Sequence, residues 1–293
     1  MSRLLDYHQL KNLDLGSTTQ TYTERDTMLY ALSVGVGADP LDERQLGFVY
    51  ERGLRALPSM VTVLGAPAGA WSMQNVGIDW TRVLHGEERI ELLQPLPVSG
   101  TVRATNRIVA LSDKGPARGA VLTRERALYD DAASGALLAR ITQVLMLRGN
   151  GGFSASSSLS DPSPPLLPAV PASAPDSEVE LASLPQAALL YRLNGDVNPL
   201  HVDPAVARAA GFERPILHGL CSFGMAVHAA LRGCCDYDAA RIRSVAARFT
   251  SPVYPGERVT FQFWRGDNDR LHFRARVPAR DVTVLDRGLI GLQ

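Results

Sequence analysis

The segment from Ile216 to Leu231 carries no acidic or strongly basic side chain, and its apolar positions run round every side of a helix. Leu217, Leu220, Cys221, Phe223, Val227 and Leu231 share no single face. A helix without a wet side has to be buried all round. It is too short to cross a bilayer, which takes about 20 apolar residues. A curved antiparallel sheet closed round a central helix is the wrapper that remains, so the expected fold class is α+β.

The strands such a wrapper needs are legible. Val259, Phe261 and Phe263 alternate with polar residues, a turn Gly266-Asp267-Asn268-Asp269 follows, and Leu271, Phe273, Ala275 and Val277 alternate again. That is an antiparallel hairpin with one dry face. In the first half, segments near 101–111, 119–130 and 136–147 are separated by the turns at 112–115 and 130–135. Tyr22 to Gly37 reads as a helix: Thr23 can cap it, Glu24 and Asp26 suit its first turn, and Gly35 and Gly37 end it.

A chain of 293 residues suits two domains or one duplicated unit. Residues 149–176 are rich in Gly and Ser, then in Pro, and read as a linker, flexible at first and stiffer later. The division expected is 1–148, a first unit; 149–176, the linker; and 177–293, a second unit. Pro95–Val102 and Pro252–Val259 share a Pro-rich, Gly-containing approach to a long strand, which suggests a duplication.

Thirty basic and thirty acidic side chains cancel, so no global field attracts nucleic acid or an anionic membrane. Cys221, Cys234 and Cys235 are odd in number and unsuited to a disulfide framework, and Cys234 and Cys235 lack the partners of a zinc site. The beginning Met-Ser-Arg-Leu-Leu-Asp has no apolar core of signal-peptide length, and no transmembrane run occurs. With Lys11 and Lys114 as the sole lysines among thirty basic residues, a bacterial cytoplasm is the expected compartment.

Chemistry concentrates between Tyr191 and Gly224. Asp196, Asn198 and His201 fall within six residues of a turn opened by Gly195 and stiffened by Pro199. Asp203-Pro204 then starts a small capped helix that ends at Gly211. A lone Gly-Asp-x-Asn-Pro is usually just a polar turn, but the added histidine and the continuation Pro215-Ile216-Leu217-His218-Gly219 reverse that judgement.

The stretch Tyr191-Arg192-Leu193-Asn194-Gly195-Asp196-Val197-Asn198-Pro199-Leu200-His201 resembles the hydratase 2 signature of the MaoC-like family, the (R)-specific enoyl-CoA hydratases. Tyr30–Gly35, Phe48–Glu51, Leu57-Pro58-Ser59, His85-Gly86-Glu87 and Thr283–Asp286 extend the likeness to the double-hotdog type, similar to the hydratase unit of the peroxisomal multifunctional enzyme type 2. Asn194 stands where the family often has serine, and Ser59 and Ser222 where threonine is common.

The resemblance implies a double hotdog, two units in each of which a sheet wraps a helix, assembled as a homodimer. It implies reversible syn hydration of trans-2-enoyl-CoA to (3R)-3-hydroxyacyl-CoA, with Asp196 and His201 as the catalytic pair. Asn198 would help hold the water, and the amide of Gly219 would bind the thioester oxygen. The first unit would have lost the motif and made room for the acyl chain; no Asp-x-Asn-x-x-His precedes residue 191. No metal or redox cofactor is implied, coenzyme A being part of the substrate, and no arginine can be singled out for its phosphates.

His85 can line the pocket or serve structure, and His228 reads as a core residue. No Gly-x-Gly-x-x-Gly or Walker sequence is present. A thioesterase on the same fold, releasing free thiol, is disfavoured by the Asp-Asn-His arrangement. A non-catalytic acyl-thioester binding protein is disfavoured by the intact trio.

Overall fold

The computed structural model describes residues 5–66, 76–131, 135–155 and 158–293; parts of the turn expected at 130–135 and of the linker lie outside them. Ten strands form one antiparallel sheet: β1 (Ser17–Tyr22), β2 (Val83–Leu92), β3 (Gly100–Asp113), β4 (Ala120–Asp130), β5 (Leu137–Leu147), β6 (Ser177–Ala182), β7 (Ile242–Phe249), β8 (Arg258–Gly266), β9 (Arg270–Val277) and β10 (Val282–Leu292). Their order is β1-β3-β4-β5-β2-β7-β10-β9-β8-β6. Outward from the β2–β7 seam, the second-half strands repeat the first-half order with five added to each number. That is the mark of a duplicated unit, which the weak Pro-Gly similarity could only suggest.

The expected hairpin stands in register, with Phe261 opposite Ala275 and Phe263 opposite Phe273. β1, β6, β7 and β10 were not anticipated. β1 and β6 are six-residue edge strands rich in Ser, Thr and Glu: β1 has a single apolar-facing Tyr22, and β6 alternates over only Val179 and Leu181, too short a pattern for a sequence reading to catch. β1 also claims Tyr22, so the expected 22–37 helix is shorter.

The helices are α1 (Tyr7–Lys11), α2 (Glu24–Ser33), α3 (Glu43–Val49), α4 (Ala187–Tyr191), α5 (Pro204–Ala209) and α6 (Gly219–Cys234). At the start of α2, Asp26 Oδ2 accepts from Thr23 N (2.7 Å) and Thr23 Oγ1 (2.8 Å). α6 is the apolar helix read from the sequence. Every residue from Cys221 to Leu231 is buried, and each large apolar side chain there contributes about 1.5–3 kcal/mol. Its beginning is displaced: Ile216 to His218 run outside the helix, and Leu217 N donates to Val253 O (2.7 Å). No described helix is long and apolar enough to cross a membrane.

α6 also packs against the other half of the chain. Gly224 lies so close to α2 that a methyl there would sit 2.6 Å from Val34 Cγ1 and 2.9 Å from the Tyr30 hydroxyl. Cys221 Sγ donates to Ser33 O (3.4 Å), and His228 bridges Val34 O and the Tyr237 hydroxyl, both at 3.3 Å. His228 is thus a partnered core residue.

The described linker residues are tied down despite their composition. Asp161 accepts from the Tyr7 hydroxyl (2.8 Å), Lys11 Nζ (3.0 Å) and Leu111 N (2.7 Å). Further on, Arg287 Nη1 donates to Leu167 O (2.7 Å) and Trp264 Nε1 to Ser173 O (2.9 Å). The strap therefore holds to both halves of the sheet.

Candidate active site

The motif is a chain of short turns, each closed by its own side chains. After α4, a 3-10 turn over Arg192–Asn194 ends at Gly195, whose φ of 114° belongs to glycine. Asn194 Nδ2 fastens this corner to Tyr191 O (2.9 Å) and Ser33 Oγ (3.0 Å). Asp196 Oδ1 accepts from Asn198 N (3.2 Å), and Asn198 Oδ1 from Leu200 N (3.0 Å), capping a turn over Pro199–His201. Asp203 caps α5 as expected. Asp196 and Asn198 are exposed, while His201 is buried.

His201 Nδ1 lies 2.8 Å from Ile216 O. A carbonyl only accepts, so Nδ1 carries the proton and Nε2 keeps a bare lone pair. The same logic applies to His218, the residue before α6. Its Nε2 lies 3.1 Å from Asp196 O and donates, which leaves a buried Nδ1 with no partner among the described residues. The two rings stack with centroids 3.7 Å apart and planes 28° from parallel. Burial pushes the His201 imidazole below its usual pKa, against the pull of Ile216 O and Asp196. Burial and then the neighbouring His201 bring His218 down to about 4. Both rings are therefore neutral near pH 7.

An Asp196 carboxylate oxygen and one ring nitrogen from each of His201 and His218 lie within 4.8 Å of one another. Two groups holding one water at hydrogen-bond distance stand about 4.6 Å apart, so Asp196 and His201 lie within reach of a shared water. One carboxylate and two imidazoles are also the donor types of a metal site. The stacking argues against that use: ring lone pairs lie in the ring planes, and near-parallel planes do not converge on one ion. What the set does suit is taking a proton from a held water and returning it.

Gly219 is the first residue of α6, and among the described residues neither Gly219 N nor Leu220 N meets an acceptor. Open amides at a helix N-terminus favour developing negative charge. The Phe249 ring covers this end, 3.2 Å from where a Cβ on Gly219 would be. His85 packs on that ring at 4.7 Å, and its Nε2 lies 2.9 Å from Glu88 Oε2. The first half thus supplies part of the wall. A cavity of about 330 Å³ lies elsewhere, against Pro58, Leu92, Pro95–Val98 and Ile242, and neither Asp196 nor His201 lines it.

The structure brings Asp196 and His201 together and sets Gly219 N at a free helix end, with Asn198 at the exposed rim. His218 was missed. The His-Gly pair at the start of an apolar helix was its signal, but the sequence put it outside the loop that it contacts.

Residues 167–286 match the MaoC-like domain family, and residues 20–149 match the MFE-2 hydratase 2 N-terminal domain. The chain is 38% identical over 274 residues to the enoyl-CoA hydratase ChsH3 of Mycobacterium tuberculosis, covering 92% of each. The chain belongs to the MaoC-like hydratase 2 family. It is also 37% identical over 283 residues to the peroxisomal enoyl-CoA hydratase 2 of Arabidopsis thaliana, covering 92% of this chain and 90% of that one. A crystal structure of a MaoC-like dehydratase from Phytophthora capsici superposes with a TM-score of 0.83 at 29% identity, covering 99% of both chains. Membership in the MaoC-like family accords with the palindromic sheet and central helix of a double hotdog.

Proposed function

We propose that this protein is a hydro-lyase that reversibly adds water, in syn fashion, to trans-2-enoyl-CoA to give (3R)-3-hydroxyacyl-CoA. The observation that carries this reading is the Asp196 carboxylate and a His201 ring nitrogen within 4.8 Å of each other, in reach of one shared water, with the free amide of Gly219 next in the chain to His218, which contacts both residues. The water oxygen bonds to C3 as its proton passes to the bare Nε2 of His201 or to Asp196. Electrons move through the double bond onto the thioester oxygen, where one donor such as Gly219 N is worth about 3 kcal/mol in the transition state. The same pair then delivers a proton to C2 from the same face, which makes the addition syn. Asn198 Nδ2, unbonded among the described residues, steadies the water. The chemistry draws on no metal or redox cofactor, and the first half holds the acyl chain.

Crotonyl-CoA and longer enoyl-CoAs should lose their enoyl-thioester absorbance with this protein. Asp196→Asn and His201→Gln should each cut kcat by about 10²–10⁴-fold. Wild-type rates in both variants would reject the assignment, and release of free thiol instead of hydration would point to a thioesterase. The reading includes a homodimer in the bacterial cytoplasm, and sedimentation of the pure protein checks the dimer.

A further inference from the structure

We infer that His218 is the positioning residue of this site, holding the Asp196 main chain with Nε2–H and fixing the ring plane of His201 by stacking. The inference rests on the roles given above to Asp196 and His201 and adds a residue to them.

Asp196 follows Gly195, a pivot without a side chain, and both its own carboxylate and Asn198 are exposed. Within the loop, Asp196 Oδ1 is held only by Asn198 N. The hydrogen bond that ties the Asp196 main chain to the body of the fold comes from His218. His201 has a similar need. Its bond to Ile216 O fixes where Nδ1 points, but one hydrogen bond leaves the ring free to tilt about that axis, and tilting swings Nε2 away from the water. A flat ring 3.7 Å away removes that freedom.

Both constraints come from one short segment. Ile216 O orients His201, His218 braces both residues, and Gly219 N, next in the chain, meets no acceptor among the described residues. Leu217 N, bonded to Val253 O, anchors the segment, and the buried α6 continues it. The groups facing His218 are Asp196 and His201 on the loop and Tyr191 and Arg192 at the end of α4; the Tyr191 ring lies 5.0 Å away. Burial, His201 and Arg192 all oppose a charge on His218, while Asp196 favours one. The ring stays neutral and keeps water off one face of His201.

The test uses the full chain with His218→Gln, His218→Phe and His218→Ala, crotonyl-CoA as substrate, and Asp196→Asn alongside. Gln can keep the donor to Asp196 O, and Phe keeps the stack. Each should lower kcat about 10-fold and Ala about 100-fold, the scale of a misplacement near 1 Å, with KM within about twofold. His218→Ala should also raise the acid limb of kcat/KM towards the ordinary histidine value of about 6.5, because water reaches His201, whereas His218→Phe should leave it in place. Wild-type kcat in folded His218→Gln and His218→Phe, with Asp196→Asn inactive, overturns the inference alone. A kcat loss in His218→Ala with an unmoved acid limb overturns it too, since that is what a purely structural residue gives. Full activity in Asp196→Asn sinks the underlying reading, and the inference with it.

Discussion

Gly219 has almost no room for a side chain, because a Cβ would come within 3.2 and 3.3 Å of two Phe249 ring carbons. Its backbone is helical, so conformation is not what calls for glycine. Close approach is. Gly219→Ala should therefore leave stability nearly unchanged but lower kcat/KM by about 10-fold or more, as the methyl crowds the amide and displaces Phe249. Steady-state kinetics beside a thermal melt separates the two effects, and an active, unstable variant would contradict the argument. The direction of the His201 shift gives a second expectation at this scale. The base must be unprotonated, and its folded pKa lies below the ordinary value of about 6.5. Protonation removes the Nε2 lone pair, so kcat/KM should stay level near neutrality and fall as pH drops through that lower pKa. A profile of kcat/KM against pH whose acid limb stands at 7 or above would be inconsistent with a buried, neutral His201.

At the scale of elements, α6 shows tertiary packing prevailing over helix propensity. In an exposed helix, replacing glycine by alanine gains about 1 kcal/mol. At Gly224 the added methyl would overlap Val34 and the Tyr30 hydroxyl at 2.6 and 2.9 Å, contacts that real Cβ atoms do not make. Overpacking in a closed core costs about 1–3 kcal/mol. Gly224→Ala should thus be net destabilising, with a lower urea midpoint at unchanged slope. A raised midpoint would mean that α2 can retreat from α6. The lead-in to α6 follows the same rule: the apolar pattern continues through Ile216 and Leu217, but the bond from Leu217 to Val253 O holds them out of the helix.

For the whole molecule, the two halves are too interlocked to melt apart. β2 and β7 pair across the seam, α6 of the second half packs on α2 of the first, and Arg55 Nη1 donates to Tyr237 O (2.9 Å). One buried cluster includes Tyr30, Ile90, Phe223 and Val245 from both halves. Heating should therefore give a single cooperative transition whose calorimetric and van't Hoff enthalpies agree. Two separated transitions in a calorimeter would show that the seam is weaker than its packing indicates.

Local patterns were legible where one residue's surroundings are set by its sequence neighbours. The alternation through 259–277, the caps at Thr23 and Asp203 and the turn at Gly195 all specify short-range structure and stand as read, and the charge-free stretch at 216–231 stands from Gly219 onward. The spacing of Asp196, Asn198 and His201 likewise falls within one turn, so the motif was visible as a string. Edge strands β1 and β6 were not legible, because they are short and half polar and gain their order from the neighbouring strand. Neither was the strap across the sheet, whose Asp161 binds partners far away in sequence. Above all, the tertiary structure decided His218. Its hydrogen bond to Asp196 and its stack on His201 exist only because α6, held by a core from both halves, carries the residue that precedes it to that loop.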